Sequence, residues 1–190
     1  MMTAWGGPAR VVAPARRRGL DVTGYNFGVP GDTSENVADR WFDEAARRPA
    51  GSGARLVFSF GTNDCTPAGQ GRVRVPLTAS MAYASRILRK AISLAPTLMI
   101  GPAPVLDDRE ADERVRQLSA VFGELCERLR VPFLETFSFI SACEPWRREA
   151  AAGDGTHPNR GGYSALAGFI QSWSGWNAWL GASQPGSDAR

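Results

Sequence analysis

The sequence predicts an α/β domain built on a parallel sheet. Short apolar runs recur along the chain, and longer segments with helical periodicity separate them. The run at 55–60 is apolar almost throughout (Leu56, Val57, Phe58, Phe60), as in a strand covered on both faces. The runs lead into loops rich in Gly, Pro, Asn and Asp. In open parallel sheets, the carboxyl ends of the strands are where ligands bind.

Taken in order, residues 8–18 have the pattern of a helix, with Pro8 in a tolerated first-turn position and Pro14 signalling a kink or an early end. Residues 20–26 are expected to form a short strand. The loop Phe27-Gly28-Val29-Pro30-Gly31 follows, and Asp32 with Glu35 three residues on is expected to cap the next helix. Val37, Trp41 and Ala45 give that helix one apolar face, and Pro49 stops it before a Gly51-Ser52-Gly53 turn. After the strand at 55–60 comes a polar loop at 65–75, then a helix over 77–94 and a strand over 97–100. A long helix over 109–130 carries Val115, Leu118, Phe122, Leu125 and Leu129 on one side. A strand over 131–136, an irregular loop over 137–156 and a closing helix over 161–180 complete the pattern.

The length suits one domain, placed at residues 1–181 with a frayed tail at 182–190. The net charge is only +3, and Lys90 is the sole lysine. The arginine clusters read as solvated helix faces, with no basic-and-aromatic stripe for stacking bases, so no nucleic-acid partner is expected. No apolar run is long enough for a transmembrane segment and no signal-peptide pattern opens the chain, which makes the cytoplasm the default location. Cys65, Cys126 and Cys143 are odd in number and widely spaced, and His157 is the only histidine. That is neither a disulfide framework nor a zinc site, and no metal or other cofactor is expected. Cys126 falls on the apolar side of its helix, whereas Cys65 lies in a candidate active loop and could be a reactive thiol.

Two loops carry most of the chemistry. In Asp154-Gly155-Thr156-His157-Pro158-Asn159 a carboxylate stands three residues before the single histidine. Such a carboxylate can accept from one ring nitrogen and leave the other as a base. The same residues also suit a simple Asx-turn leading into a helix cap. In Gly61-Thr62-Asn63-Asp64 the Asn63 amide is a candidate donor to a developing oxyanion, with a backbone N–H from Gly31 as its companion. A plain turn after a strand would use the same residue types.

In combination the blocks are more specific. Asn26-Phe27-Gly28-Val29-Pro30-Gly31-Asp32-Thr33, Gly61-Thr62-Asn63-Asp64, Gly101-Pro102 and Asp154-Gly155-Thr156-His157-Pro158 follow one another in order. This resembles the GDSL lipase/esterase family, the SGNH hydrolases, over about residues 5–180. The resemblance implies a flavodoxin-like three-layer α/β/α sandwich that hydrolyses esters of lipids, sugars or small metabolites through an acyl-enzyme, without metal. It casts Gly31 and Asn63 as the oxyanion donors, Asp154 as the acid and His157 as the base.

One block has no counterpart. The family's first strand ends in Gly-Asp-Ser, whose serine is the nucleophile, and this chain resembles the family only from the segment after it. The resemblance therefore implies a missing first strand and a nucleophile upstream of Met1, either because the start was assigned too late or because the chain is an inactive, ligand-binding remnant. In the family that strand lies between those expected here at 20–26 and 55–60, which would otherwise expose unpaired backbone and apolar faces. Within the chain, Ser34 (in Gly31-Asp32-Thr33-Ser34) and Cys65 are the candidate substitute nucleophiles, and Ser59 is expected to pack inside its strand. The sequence leaves the acyl group, the alcohol and the oligomeric state open.

Overall fold

The computed structural model describes residues 9–48 and 53–181. The expected tail at 182–190 lies outside the described residues, as do Pro8, Pro49, Gly51 and Ser52.

Three short strands form the parallel sheet: β1 (Leu56–Phe58), β4 (Thr97–Ile100) and β5 (Phe133–Leu134), in the order β1-β4-β5. A parallel pair needs a long crossover. Here the crossovers are α3 (Leu77–Ile92), between β1 and β4, and α4 (Arg109–Leu129), between β4 and β5. Between β1 and α3 the expected polar loop forms a small antiparallel hairpin of β2 (Pro67–Gly69) and β3 (Arg72–Val73).

Side-chain alternation along the strands separates two cores. Phe58, Met99 and Phe133 face a cluster that includes Trp41 of α2 (Ser34–Ala46), Ile87 and Leu88 of α3, and Val115, Leu118 and Phe122 of α4. Val57, Leu98, Ile100 and Leu134 face the opposite cluster, with Val11 of α1 (Ala9–Arg17), Ile140 of α5 (Phe137–Ala142) and Trp146 of α6 (Glu144–Ala151). Leu166 and Ile170 of α7 (Arg160–Ser172) and Trp176 of α8 (Ser174–Gly181) complete it. Helices thus cover both faces of the sheet, giving the three-layer α/β/α arrangement. Phe122 is fully buried and meets Phe60 edge-on at 5.6 Å. Phe122→Ala is expected to cost about 3–5 kcal/mol in urea unfolding, and a loss below about 1 kcal/mol would mean that this core is not packed as described.

Several local expectations are corrected. The expected strand at 20–26 does not form. A strand needs a neighbour to take its backbone bonds, and among the described residues none pairs with this segment. Two of its apolar side chains lie outward, Leu20 at 40% and Tyr25 at 48% exposed. The Arg48 guanidinium sits over the rings of Tyr25 and Phe27 instead. Pro14 does not interrupt α1. It cannot donate to the carbonyl of Arg10, but Gln171 Nε2 of α7 donates to that oxygen at 3.3 Å.

The cap of α2 is one residue later than expected. Thr33 is the N-cap, and its exchange partner is Asn36. Asp32 pairs with Arg40, and Glu35 accepts from the Tyr83 hydroxyl. The loop expected at 137–156 contains α5 and α6, which are too short for periodicity to reveal although Ile140, Trp146 and Ala150 are buried. The closing helix breaks at Trp173, which is extended; its ring fills the space beside Gly175, where a Cβ would meet it at 2.3 Å. Asn177 Nδ2 donates to the carbonyls of Gln171 and Trp173 at the break.

Candidate active site

The site begins where β1 ends. Gly61 has φ +115°, and a Cβ there would stand 3.0 Å from both Leu118 and Phe122, so only glycine lets the chain turn on the core at this point. One turn of 3-10 helix, Thr62–Cys65, follows, and each of its residues bonds to a different neighbour. Thr62 Oγ1 donates to Ala103 O at 2.7 Å, in the loop after β4. Asn63 Nδ2 donates to Asp32 O at 2.9 Å. The Asp64 carboxylate accepts from Ser34 N and from Ser80 Oγ, and Cys65 O accepts from Arg114 Nε.

Gly31 lies in the turn from Val29 to Asp32, closed by Asp32 N donating to Val29 O at 3.3 Å. Pro30 and then Gly31 at φ +81° are the residues that a type II turn requires. The Asn63 amide therefore donates to the carbonyl of Asp32, the residue that follows Gly31.

The second half lies between α6 and α7. Asp154 Oδ1 accepts from the backbone N–H groups of Thr156 (3.0 Å) and His157 (2.7 Å), while Oδ2 lies 2.7 Å from His157 Nδ1. The turn and the carboxylate–imidazole pair foreseen as alternatives thus coexist, each on its own oxygen. An ionised carboxylate only accepts, so in the neutral ring Nδ1 carries the proton and Nε2 keeps its lone pair. Both side chains are about half exposed to solvent.

Helix α6 holds this loop from behind. Trp146 Nε1 donates to Thr156 O, and the Glu149 carboxylate accepts from Gly161 N and Gly162 N at the start of α7. In front, Thr156 Oγ1 donates to Asp107 Oδ1 at 3.4 Å, and a Cβ on Gly155 would strike the Asp107 carboxyl group. Asp107 and Ala103 belong to the same loop after β4. The Asn63 turn and the His157 loop are therefore both fastened to one segment at the carboxyl edge of the sheet. An open cleft of about 650 Å³ lies on the α4 side of this segment, lined by Arg109, Asp112, Arg114 and Phe137 and by none of Gly31, Asn63, Asp154 and His157. Asp112 accepts from Val105 N and Leu106 N there.

The backbone N–H of His157, then that of Thr156, then the His157 ring hold the Asp154 carboxyl at about 2, against an ordinary value of 3.8. A folded value below the unfolded one stabilises the loop above the unfolded value, and that contribution is lost as pH falls through the folded one. The Thr156 and His157 amide resonances are thus expected to hold between pH 4 and 3 and to shift near pH 2; titration near 3.8 would contradict these bonds.

Neither substitute nucleophile is suited to attack. Ser34 is fully buried in the first turn of α2, with no hydrogen-bond partner for its hydroxyl. Cys65 is buried, and desolvation together with the nearby Asp64 charge pushes its thiol up to about 12, so it stays protonated at neutral pH. Ser59 lies just beyond β1 and is half-buried. Cys126 is in the core, as expected. The supporting residues Asp64, Asp107 and Glu149 were not foreseen. Asp64 stands in a quoted motif, but a turn residue of that type gives no sign of its burial. Among the described residues no helix is long and apolar enough to cross a membrane.

A family model for the GDSL-like lipase/acylhydrolase family matches residues 3–165. The chain belongs to that family. Solved structures with the same fold include an acetylxylan esterase from Geobacillus stearothermophilus, with a TM-score of 0.71 and 19% identity over 92% of this chain and 80% of that one. A lipase/acylhydrolase from Enterococcus faecalis gives a TM-score of 0.67 and 23% identity over 85% and 80%. A G-D-S-L family lipolytic protein from Veillonella parvula gives 0.67 and 16%, over 85% of both chains. No curated protein matches by sequence. The three-layer sandwich described above is thus the SGNH-hydrolase fold, and the GDSL-family match supports a hydrolase.

Proposed function

We propose that this GDSL-family chain supplies the acid–base pair and the oxyanion donors of a serine ester hydrolase working through an acyl-enzyme. The observation that carries the reading is the 2.7 Å contact of His157 Nδ1 with Asp154, in a loop tied to the same segment as the Asn63 turn. In this reading His157 Nε2 takes the proton of a serine hydroxyl as its oxygen attacks the ester carbonyl. The Gly31 N–H and the Asn63 amide donate to the oxyanion. The tetrahedral intermediate then collapses, the alcohol leaves with the proton from His157, and a water activated by the same imidazole releases the acid. Asp154 keeps the ring in the working tautomer and stabilises the imidazolium.

The serine itself is proposed to lie upstream of Met1. The burial of Ser34 and the protonated state of Cys65 support this. So does the bare edge of β1, which among the described residues pairs only with β4. The lack of a presented nucleophile also fits a second reading, an SGNH-fold protein that binds an acyl or glycan ligand without turning it over. Hydrolysis of p-nitrophenyl acetate by the chain as given, and by one extended through the upstream in-frame codons, separates the two. Turnover confined to the extended form, and lost when the upstream serine becomes alanine, supports the hydrolase. Absence of an upstream Gly-Asp-Ser, with ligand binding but no turnover in either form, supports the binder.

A further inference from the structure

We infer that Asp64 is the positioning residue for the oxyanion side of the site, a role that rests on the reading of Asn63 and Gly31 given above. Asp64 is fully buried, and all four of its polar atoms are bonded within the protein. Its backbone N–H donates to Gly61 O and its carbonyl accepts from Val75 N, both at 3.1 Å. Its carboxylate reaches two helices: Oδ1 accepts from Ser34 N, at the start of α2, and Oδ2 from Ser80 Oγ on α3, each at 2.7 Å.

Stability alone does not explain this residue. Burying a carboxylate is costly unless it is fully partnered, and an apolar group of similar volume often serves a core as well or better. What the carboxylate adds is geometric. Asn63 and Asp64 are adjacent, and the groups they bind, Asp32 O and Ser34 N, are two residues apart on the segment that carries Gly31. A single bond from Asn63 would let the two segments pivot about it. The second bond, from Asp64, removes the pivot, and Ser80 braces the carboxylate from behind. Asn63 is then held with one Nδ2 hydrogen on Asp32 O and the other left for an incoming oxyanion, at a fixed distance from Gly31.

The test uses the chain as it stands and reads the two Asn63 side-chain amide protons by NMR, assigned by their loss in Asn63→Asp. In the native chain the proton bonded to Asp32 O exchanges more slowly than its sibling. In Asp64→Ala that difference is expected to shrink about tenfold, the worth of one buried hydrogen bond. Asp64→Asn should restore most of it, because the amide oxygen still accepts from Ser34 N while the amide nitrogen donates to Ser80 Oγ, which has lone pairs free. Ser80→Ala replaces a helix residue with a better helix former and keeps the test decisive if Asp64→Ala does not fold. It should speed exchange of the bonded proton several-fold. An unchanged Asn63 amide in a folded Asp64→Ala or Ser80→Ala chain overturns the inference. So does an Asp64→Asn chain as perturbed as Asp64→Ala. No readout here requires ester hydrolysis, so an inactive extended chain would count against the proposed function and leave this result standing.

Discussion

His157→Ala is expected to lower kcat for p-nitrophenyl acetate by about 10⁴- to 10⁶-fold in a form of the protein that carries its nucleophile. The effect should be chemical and not structural. The backbone N–H of His157 holds its loop by donating to Asp154 Oδ1, and Thr156 N and Trp146 Nε1 provide further anchors. Alanine leaves all three bonds in place. The chain has no second histidine to take over as base. Unfolding midpoints should therefore agree within a few degrees, about the effect of 1 kcal/mol or less, while turnover falls to the residual rate that the oxyanion donors and substrate binding support alone. A variant retaining kcat within tenfold would remove the imidazole from the mechanism.

Asp154→Asn is expected to cost about 10⁴-fold in kcat with KM little changed, and the geometry says why. Oδ1 is occupied by two backbone donors, so the amide oxygen of asparagine takes that position. The NH₂ group is then placed against Nδ1, where Oδ2 now stands 2.7 Å away. Nδ1 must accept, the ring proton moves to Nε2, and the base is lost although every heavy atom stays in position. Asp154→Ala should leave more activity per folded molecule than Asp154→Asn, since it removes the orienting acceptor without imposing the wrong tautomer. Rates for Asp154→Asn equal to those of the unaltered enzyme would show that the contact plays no part in the chemistry.

The fold was legible wherever a segment's own chemistry was sufficient. β4 is buried at every position, and α4 carries Val115, Leu118, Phe122 and Leu125 on one buried side, so both show in the pattern of the residues. Residues 20–26 carry the apolar side chains Leu20, Val22 and Tyr25 but have no strand beside them, and a strand needs a partner as well as a pattern. The break at Trp173 was hidden because it depends on an indole folding over Gly175, a contact outside any periodic pattern.

The site divides in the same way. The spacing of Asp154 and His157 gave a contact that the loop alone can make. Gly61 and Asn63 were recognisable by their place after an apolar strand. Asp107 and Glu149 were invisible because they act on residues 12 to 49 positions away. Asp64 was overlooked because an aspartate in a turn is ordinarily a solvent-facing turn former, whereas here two helices close over it.

The account depends on an imidazole whose Nε2 is kept free by a carboxylate on Nδ1. With a single histidine in the chain, ¹⁵N-edited NMR of the ring measures this without ambiguity. The neutral ring should carry its proton on Nδ1, with a strongly downfield N–H signal that Asp154→Asn abolishes as the proton moves to Nε2. A neutral ring already protonated on Nε2, and indifferent to the change at Asp154, would contradict it.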